Sequence, residues 1–404
     1  MTNVCDGAGG VAFGVRPVSR RAATPAGQRN KAGMHPGANL GAHGDVGRLG
    51  NRRFAATARP DDPVASCLPL SASESTRAQN GARRPQIAVV VPSHDRPLRL
   101  RWLLNALERQ TLPRGDWELV VAHDSNGPET EELLRTHPLA LDGTLRHVWL
   151  AAGSAPPGRN RNAAWRLARA PIVAFTDDDC RPPADWLQRA LAAARQNPGA
   201  IVQGATCPDP DETVIGRYAP WVKTQSIWPP RPWAQACNIV YTREALERHG
   251  GFDESLYTGE DTDLAERAQA AGIPYVGARD VVTYHAVDEM SLWRAVGGAR
   301  RWHQLPLLVK RHPRLRQEFP GGMFYRRSHA WLPLFVAAWF LERRSRLFAV
   351  LAVPYVVHAT PYKHGPLPRG RIRSLLELPG HFAIDTAEFL TLAWGSIRHR
   401  SPFL

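Results

Sequence analysis

Three apolar runs in this 404-residue chain each break off into a polar loop, and that repeat limits what the chain can fold into. Ile87-Ala88-Val89-Val90-Val91-Pro92 leads into Ser93-His94-Asp95-Arg96, and Glu118-Leu119-Val120-Val121-Ala122 into His123-Asp124-Ser125-Asn126-Gly127. The third run, Pro171 to Thr176, leads into Asp177-Asp178-Asp179-Cys180. Short, partly β-branched runs of this kind make buried strands. After the first, Pro97 suits a helix's first turn, and Leu100, Leu103, Leu104 and Leu107 recur at the spacing of one buried helix face. Strands alternating with helices over short links predict a mostly parallel sheet with helices on both faces. Ligands of such sheets bind beyond the carboxyl ends of the strands, so the three polar loops should converge there.

The aspartates sharpen that expectation. Burying unpaired charge is costly, so three carboxylates at the exit of a buried strand are not there for packing. Asp177 and Asp179 suit a hard divalent cation, Mn²⁺ or Mg²⁺, which takes oxygen ligands and often shares them with phosphates. A solvated acidic turn is the plainer reading of an isolated Asp-x-Asp. No Gly-x-x-x-x-Gly-Lys-Ser/Thr occurs, and no Gly-x-Gly-x-x-Gly follows the first strand. Their absence argues against P-loop kinases and dinucleotide oxidoreductases. A nucleotide would then be held through a metal on its diphosphate and side chains on its base and ribose.

Further along, residues 207–235 carry Trp221, Trp228 and Trp233 among many prolines. A long ordered loop is usually functional, so Trp228 and Trp233 either stack on an acceptor sugar or form the core of a lid. Glu260 and Asp261 open a helix, where the dipole favours carboxylates and where one of them could also act as a general base. Val281-Val282-Thr283-Tyr284-His285 reads as a strand ending in a histidine that is either structural or a metal ligand.

Taken in order, these pieces resemble a family 2 glycosyltransferase of the GT-A fold from Val89 to His285. The matching segments are Val91 to Arg96, Asp124, Gly158-Arg159-Asn160, Asp177-Asp178-Asp179, Gly250-Gly251-Phe252-Asp253-Glu254 with Gly259-Glu260-Asp261, and His285. The resemblance implies a Rossmann-like α/β domain that binds a nucleoside-diphosphate sugar through Pro92, His94, Asp95, Asp124, Arg159, Asp177 and Asp178. It implies a divalent metal on Asp179 with Asp177 and His285, and an acceptor lid at Trp228 and Trp233. It also assigns Asp261 as the base with Glu260 beside it, inversion at the anomeric carbon, and a glycan or lipid-linked acceptor in envelope or polysaccharide synthesis. In one departure, His123 stands where the family commonly has the first of two aspartates, leaving Asp124 alone to face the nucleobase. A sugar-nucleotide nucleotidyltransferase and a non-catalytic sugar- or membrane-binding module are the alternatives. The former usually carries a Gly-rich loop missing here, and the intact acidic residues argue against the latter.

Charge separates the rest of the chain. The net +14 is uneven: Lys and Arg number 12 against 5 Asp and Glu over residues 1–84, 21 against 27 over 85–289, and 18 against 5 over 290–404. Residues 1–84 have almost no apolar periodicity and are expected to be a disordered extension, or an over-long translated start. Residues 85–289 form the expected catalytic domain, and 290–404 a helical, basic and apolar tail. Its runs at 330–341 and 347–359 are shorter than the ~20 residues that span a bilayer. With the flanking arginines they fit an interfacial arrangement on anionic lipid, or else a packed subdomain. No nucleic-acid module accompanies the charge. Five cysteines without a Cys-x-x-Cys pair indicate neither a disulfide framework nor a zinc site, and residues 1–30 lack a secretory core. The expected location is cytoplasmic, peripheral on the inner face of the membrane.

Overall fold

Strand β1 (Ile87–Ser93) is apolar on both faces, which only a central strand of a covered sheet can satisfy. In the computed structural model, which describes residues 84–151, 156–360 and 368–404, it pairs in parallel with β2 (Trp117–His123). Beyond β2 lies β3 (Leu145–Trp149), and on the other side of β1 lies β4 (Ile172–Thr176), both parallel. Except for Arg84, the extension expected over residues 1–84 lies outside the described residues.

The remaining strands are β5 (Cys180–Arg181), β6 (Ile201–Pro208), β7 (Val222–Lys223), β8 (Asn238–Thr242), β9 (Tyr275–His285) and β10 (Asp288–Glu289). The main sheet has the order β3-β2-β1-β4-β8-β6-β9-β5, and β7 and β10 form a separate ribbon. Side chains alternate across β1. Val89 and Val91 pack with Leu103, Leu107, Leu119 and Trp186, whereas Ala88 and Val90 face the layer of Trp165, Phe175, Tyr241 and Leu264.

A simple strand–helix alternation does not describe β8, which runs antiparallel to both β4 and β6. Chain leaving the end of β6 returns through the short helix Thr213–Tyr218, β7 and a proline-rich loop, without a helix that crosses back over the sheet, so it re-enters from the same edge. That reversal brings Asn238 opposite Thr176, beside the aspartates. The end of β9 arrives there too: His285 pairs with Cys180, and Ala286 N–H donates to Asp179 O at 2.9 Å.

The tail braces this edge. Helix Leu305–Arg311 and the turns after it build a cluster of Leu308, Leu315, Phe319, Tyr325 and Phe403, against which Trp233 packs. Gly259, just before helix Glu260–Ala270, has φ 81°, and a Cβ there would stand 2.6 Å from Leu308 Cδ2. That left-handed backbone favours glycine, and Leu308 packs over the space a side chain would take. His312 Nε2 lies 2.8 Å from Asp263 Oδ1, and Arg314 Nη2 donates to Glu266 Oε1 at 2.8 Å.

Helices Arg327–Leu341, Val353–Ala359 and Leu378–His399 close over Leu332, Tyr355 and Ala359, with Phe335, Phe382 and Phe389 alongside. Among the described residues no helix is long and apolar enough to cross a membrane. Cys180 and Cys237 are free and buried.

Candidate active site

The loop after β1 closes on the aspartate turn through the side chain of Ser93, which donates to Asp178 Oδ2 at 2.9 Å. Asp95, with φ 48°, turns its carboxylate to cap Asn126, accepting from its backbone N–H and its amide at 2.7 Å each. Those bonds hold Asp95 below the usual carboxylate range. His94 Nδ1 lies 3.0 Å from Asp124 Oδ1, which also accepts from Asn160 Nδ2 at 2.9 Å. Pro92 is half-buried in β1 and brings no polar side-chain atom. Buried His123 meets Glu131 at 3.1 Å, and burial lowers its pKa.

Arg161 joins the two acidic motifs. From helix Pro157–Leu167, Nη2 donates to Asp177 Oδ1 at 2.8 Å and Nη1 to Glu260 Oε1 at 2.6 Å. Sequence reasoning singled out Arg159, which is half-buried, and missed Arg161 two residues on. The repeat Arg159-Asn160-Arg161-Asn162 offered both pairs. Asn162 is also engaged, donating to Phe252 O and to Glu254 at 2.8 Å each, which ties this helix to the glycine-rich segment.

Asp261 is half-buried at the next step of the helix start. Its Oδ2 accepts from Ala236 N–H at 3.2 Å and Oδ1 from Thr262 N–H at 2.8 Å. Burial, reinforced by the neighbouring Glu260 carboxylate, pushes it up to about 7 despite Arg161. Asp178, buried beside Asp179, is likewise raised to about 7.

The donor set at Asp179 fits a divalent cation. His285 Nδ1 lies 2.8 Å from Ala286 O, which puts a proton on Nδ1 and turns Nε2 toward Asp179 Oδ1 at 3.3 Å. Asp179 Oδ1 is buried and accepts no hydrogen bond among the described residues. A proton on Nε2 or a bridging divalent cation would relieve these facing electron pairs. Arg96 Nη1 stands 2.6 Å from Asp179 Oδ2 and 3.5 Å from Asp178 Oδ1. Burial alone would raise Asp179, but His285, Arg96 and Lys223 outweigh it and hold its pKa low.

The two tryptophans differ. Trp233 packs on Phe319 with centroids 5.0 Å apart, and its carbonyl accepts from Thr262 Oγ1 at 2.7 Å. Trp228 is 45% exposed, with the Arg279 guanidinium 5.0 Å from its ring centroid.

Residues 88–252 match the sequence profile described as Glycosyl transferase family 2. The chain is 27% identical over 207 residues to Glycosyltransferase AglE of Haloferax volcanii, covering 50% of this chain and 67% of that protein. It is 27% identical over 246 residues to Validoxylamine A glucosyltransferase of Streptomyces hygroscopicus subsp. limoneus, covering 52% and 54%. It thus spans about two thirds of the first relative and about half of the second. Among solved structures, the mannosyltransferase PcManGT from Pyrobaculum calidifontis in complex with GDP-Man and Mn²⁺ aligns with a TM-score of 0.48 at 20% identity. That alignment covers 79% of this chain and 88% of the other.

Proposed function

We propose, from the match of residues 88–252 to glycosyl transferase family 2, that the chain moves a sugar from a nucleoside-diphosphate sugar to an acceptor hydroxyl with inversion. The observation that carries this reading is the Arg161 bridge, which couples Asp177 to Glu260, next to Asp261. In the proposed step Asp261 takes the proton of the acceptor hydroxyl as its oxygen attacks the anomeric carbon. The bond from that carbon to the diphosphate breaks, and its electron pair leaves with the nucleoside diphosphate. Pro92, His94, Asp95, Asp124, Arg159, Asp177 and Asp178 would hold the donor nucleotide, with side chains on its base and ribose and its diphosphate met through the cation. Asp179, Asp177 and His285 would hold a divalent cation, which when bound neutralises charge on the leaving diphosphate. Residues 85–289 carry this chemistry in our reading, and 290–404 support it.

A panel of nucleotide sugars with Mn²⁺ and sugar or lipid-linked acceptors, read by the nucleoside diphosphate released, tests the reaction. Acceptor-dependent release from one donor is expected. Pyrophosphate release from a nucleoside triphosphate and a sugar phosphate would instead identify a nucleotidyltransferase.

We propose further that the tail holds the protein on an anionic membrane surface, on the cytoplasmic face, where a lipid-linked acceptor would be met. Support comes from Trp339, Phe340, Leu347 and Val350, all more than 60% exposed, beside exposed Arg343, Arg344 and Arg346. The protein should sediment with vesicles containing anionic lipid, more weakly as salt rises, and Trp339→Ser with Phe340→Ser should release it. Indifference to such vesicles at low salt would rule this surface out.

A further inference from the structure

One buried polar cluster takes no part in the reaction proposed above. His329, on helix Arg327–Leu341, is 0% exposed and walled by Tyr325 and Phe389, with ring centroids 5.9 and 6.0 Å away. Neither of its ring nitrogens has a hydrogen-bond partner among the described residues. Its Nε2 faces two carboxylates on helix Leu378–His399, with Asp385 Oδ1 at 3.9 Å and Glu388 Oε2 at 3.6 Å. Each of these residues is 5% exposed, and their three-residue separation sets them on one helix face.

These separations are too long for hydrogen bonds. They are close to the spacing of ligands around a shared ion. Ligands about 2.0–2.1 Å from a tetrahedral zinc stand roughly 3.3 Å from one another. One ligand atom from each of the three residues lies within 4.8 Å of the others, and the two carboxylate oxygens stand 3.6 and 3.9 Å from His329 Nε2, so the side chains need only draw together around an ion to close the shell.

The groups around the cluster orient the carboxylates. Tyr355 Oη donates to Asp385 Oδ2 at 3.1 Å, which leaves Oδ1 toward His329. Arg326 donates to both Glu388 oxygens, at 2.6 and 3.0 Å, so Glu388 has only the outer lone pair of Oε2 to offer. Among the described residues Arg326 pairs with Glu388, and His329 is the basic group within ion-pair reach of Asp385. Two carboxylates buried beside one arginine are costly unless a further positive charge, a cation or a protonated His329, meets them.

We propose that His329, Asp385 and Glu388 form a structural site for a divalent transition metal of the zinc class, pinning helix Arg327–Leu341 to helix Leu378–His399. The mixed nitrogen and oxygen donor set fits such an ion, with water as the fourth ligand.

The test uses full-length protein carrying Asp179→Asn, so that the aspartate turn does not compete. The protein is stripped with chelator, re-equilibrated with Zn²⁺ and analysed for bound metal. About one zinc per chain is expected, with Tm raised by roughly 5 °C. Co²⁺ should give the visible absorption of a low-symmetry site. Both responses should disappear in His329→Gln and in Asp385→Asn, and if the first does not fold, the second decides. Absence of stoichiometric uptake would overturn the site, as would uptake that survives the substitutions. A Tm that follows pH between 5 and 7.5 but ignores zinc would also overturn it, in favour of an imidazolium.

Discussion

Asp261→Asn should lower turnover by roughly 10²–10⁴-fold, the range for a lost general base, while donor affinity stays near that of the unaltered protein. The substitution keeps shape and an acceptor oxygen for the Thr262 N–H, the shorter of the two bonds at 2.8 Å, and gives up the 3.2 Å bond from Ala236 N–H. The pH dependence follows from the carboxyl's environment. Burial and Glu260 raise Asp261 to about 7, and a base acts only when deprotonated. Turnover should therefore climb as pH rises through about 7, and the variant should lose that limb. Stability runs the other way. A carboxyl whose folded pKa exceeds its unfolded value destabilises the fold when ionised, so its cost grows as pH rises from about 4 to 7. The uncharged asparagine should therefore melt higher than aspartate above pH 7. Equal losses in donor binding and turnover would instead mean that Asp261 only holds the helix start.

Asp179→Asn should abolish the metal-dependent part of nucleotide-sugar binding, a loss of at least about 100-fold, with the far-UV circular dichroism unchanged. Its Oδ1 is the buried, unpaired atom facing His285 Nε2, and its Oδ2 holds Arg96. An amide nitrogen at Oδ2 sets a donor against Arg96, and one at Oδ1 removes the ligand atom and donates to the free lone pair of His285 Nε2 instead. Calorimetry with and without Mn²⁺ separates the two contributions. Unchanged metal-dependent affinity in the variant would move the cation elsewhere.

Local pattern was enough for the strands that frame this site. β1, β2 and β4 are short apolar runs whose polar exits must lie at one edge of a parallel sheet, so the convergence of Ser93, Asp124 and Asp177–Asp179 was legible before any coordinates. The acidic helix start at Glu260 and the strand end at His285 were legible for the same reason.

Tertiary structure decided the rest. Successive helix residues point about 100° apart, so Arg159 and Arg161 are equivalent in the chain. Only the docking of helix Pro157–Leu167 on the sheet aims Arg161 between Asp177 and Glu260. The direction of β8 depends on a connection with no periodicity to read. The tail's apolar runs declared themselves by composition, yet which side chains they cover is a long-range matter. Leu308 lies over Gly259, and Phe319 over Trp233, whereas Trp339 and Phe340 are left exposed. Local spacing encodes which face of an element is apolar. What that face meets is set by contacts between residues far apart in the chain, and the gathering of His329, Asp385 and Glu388 from two helices is such a case.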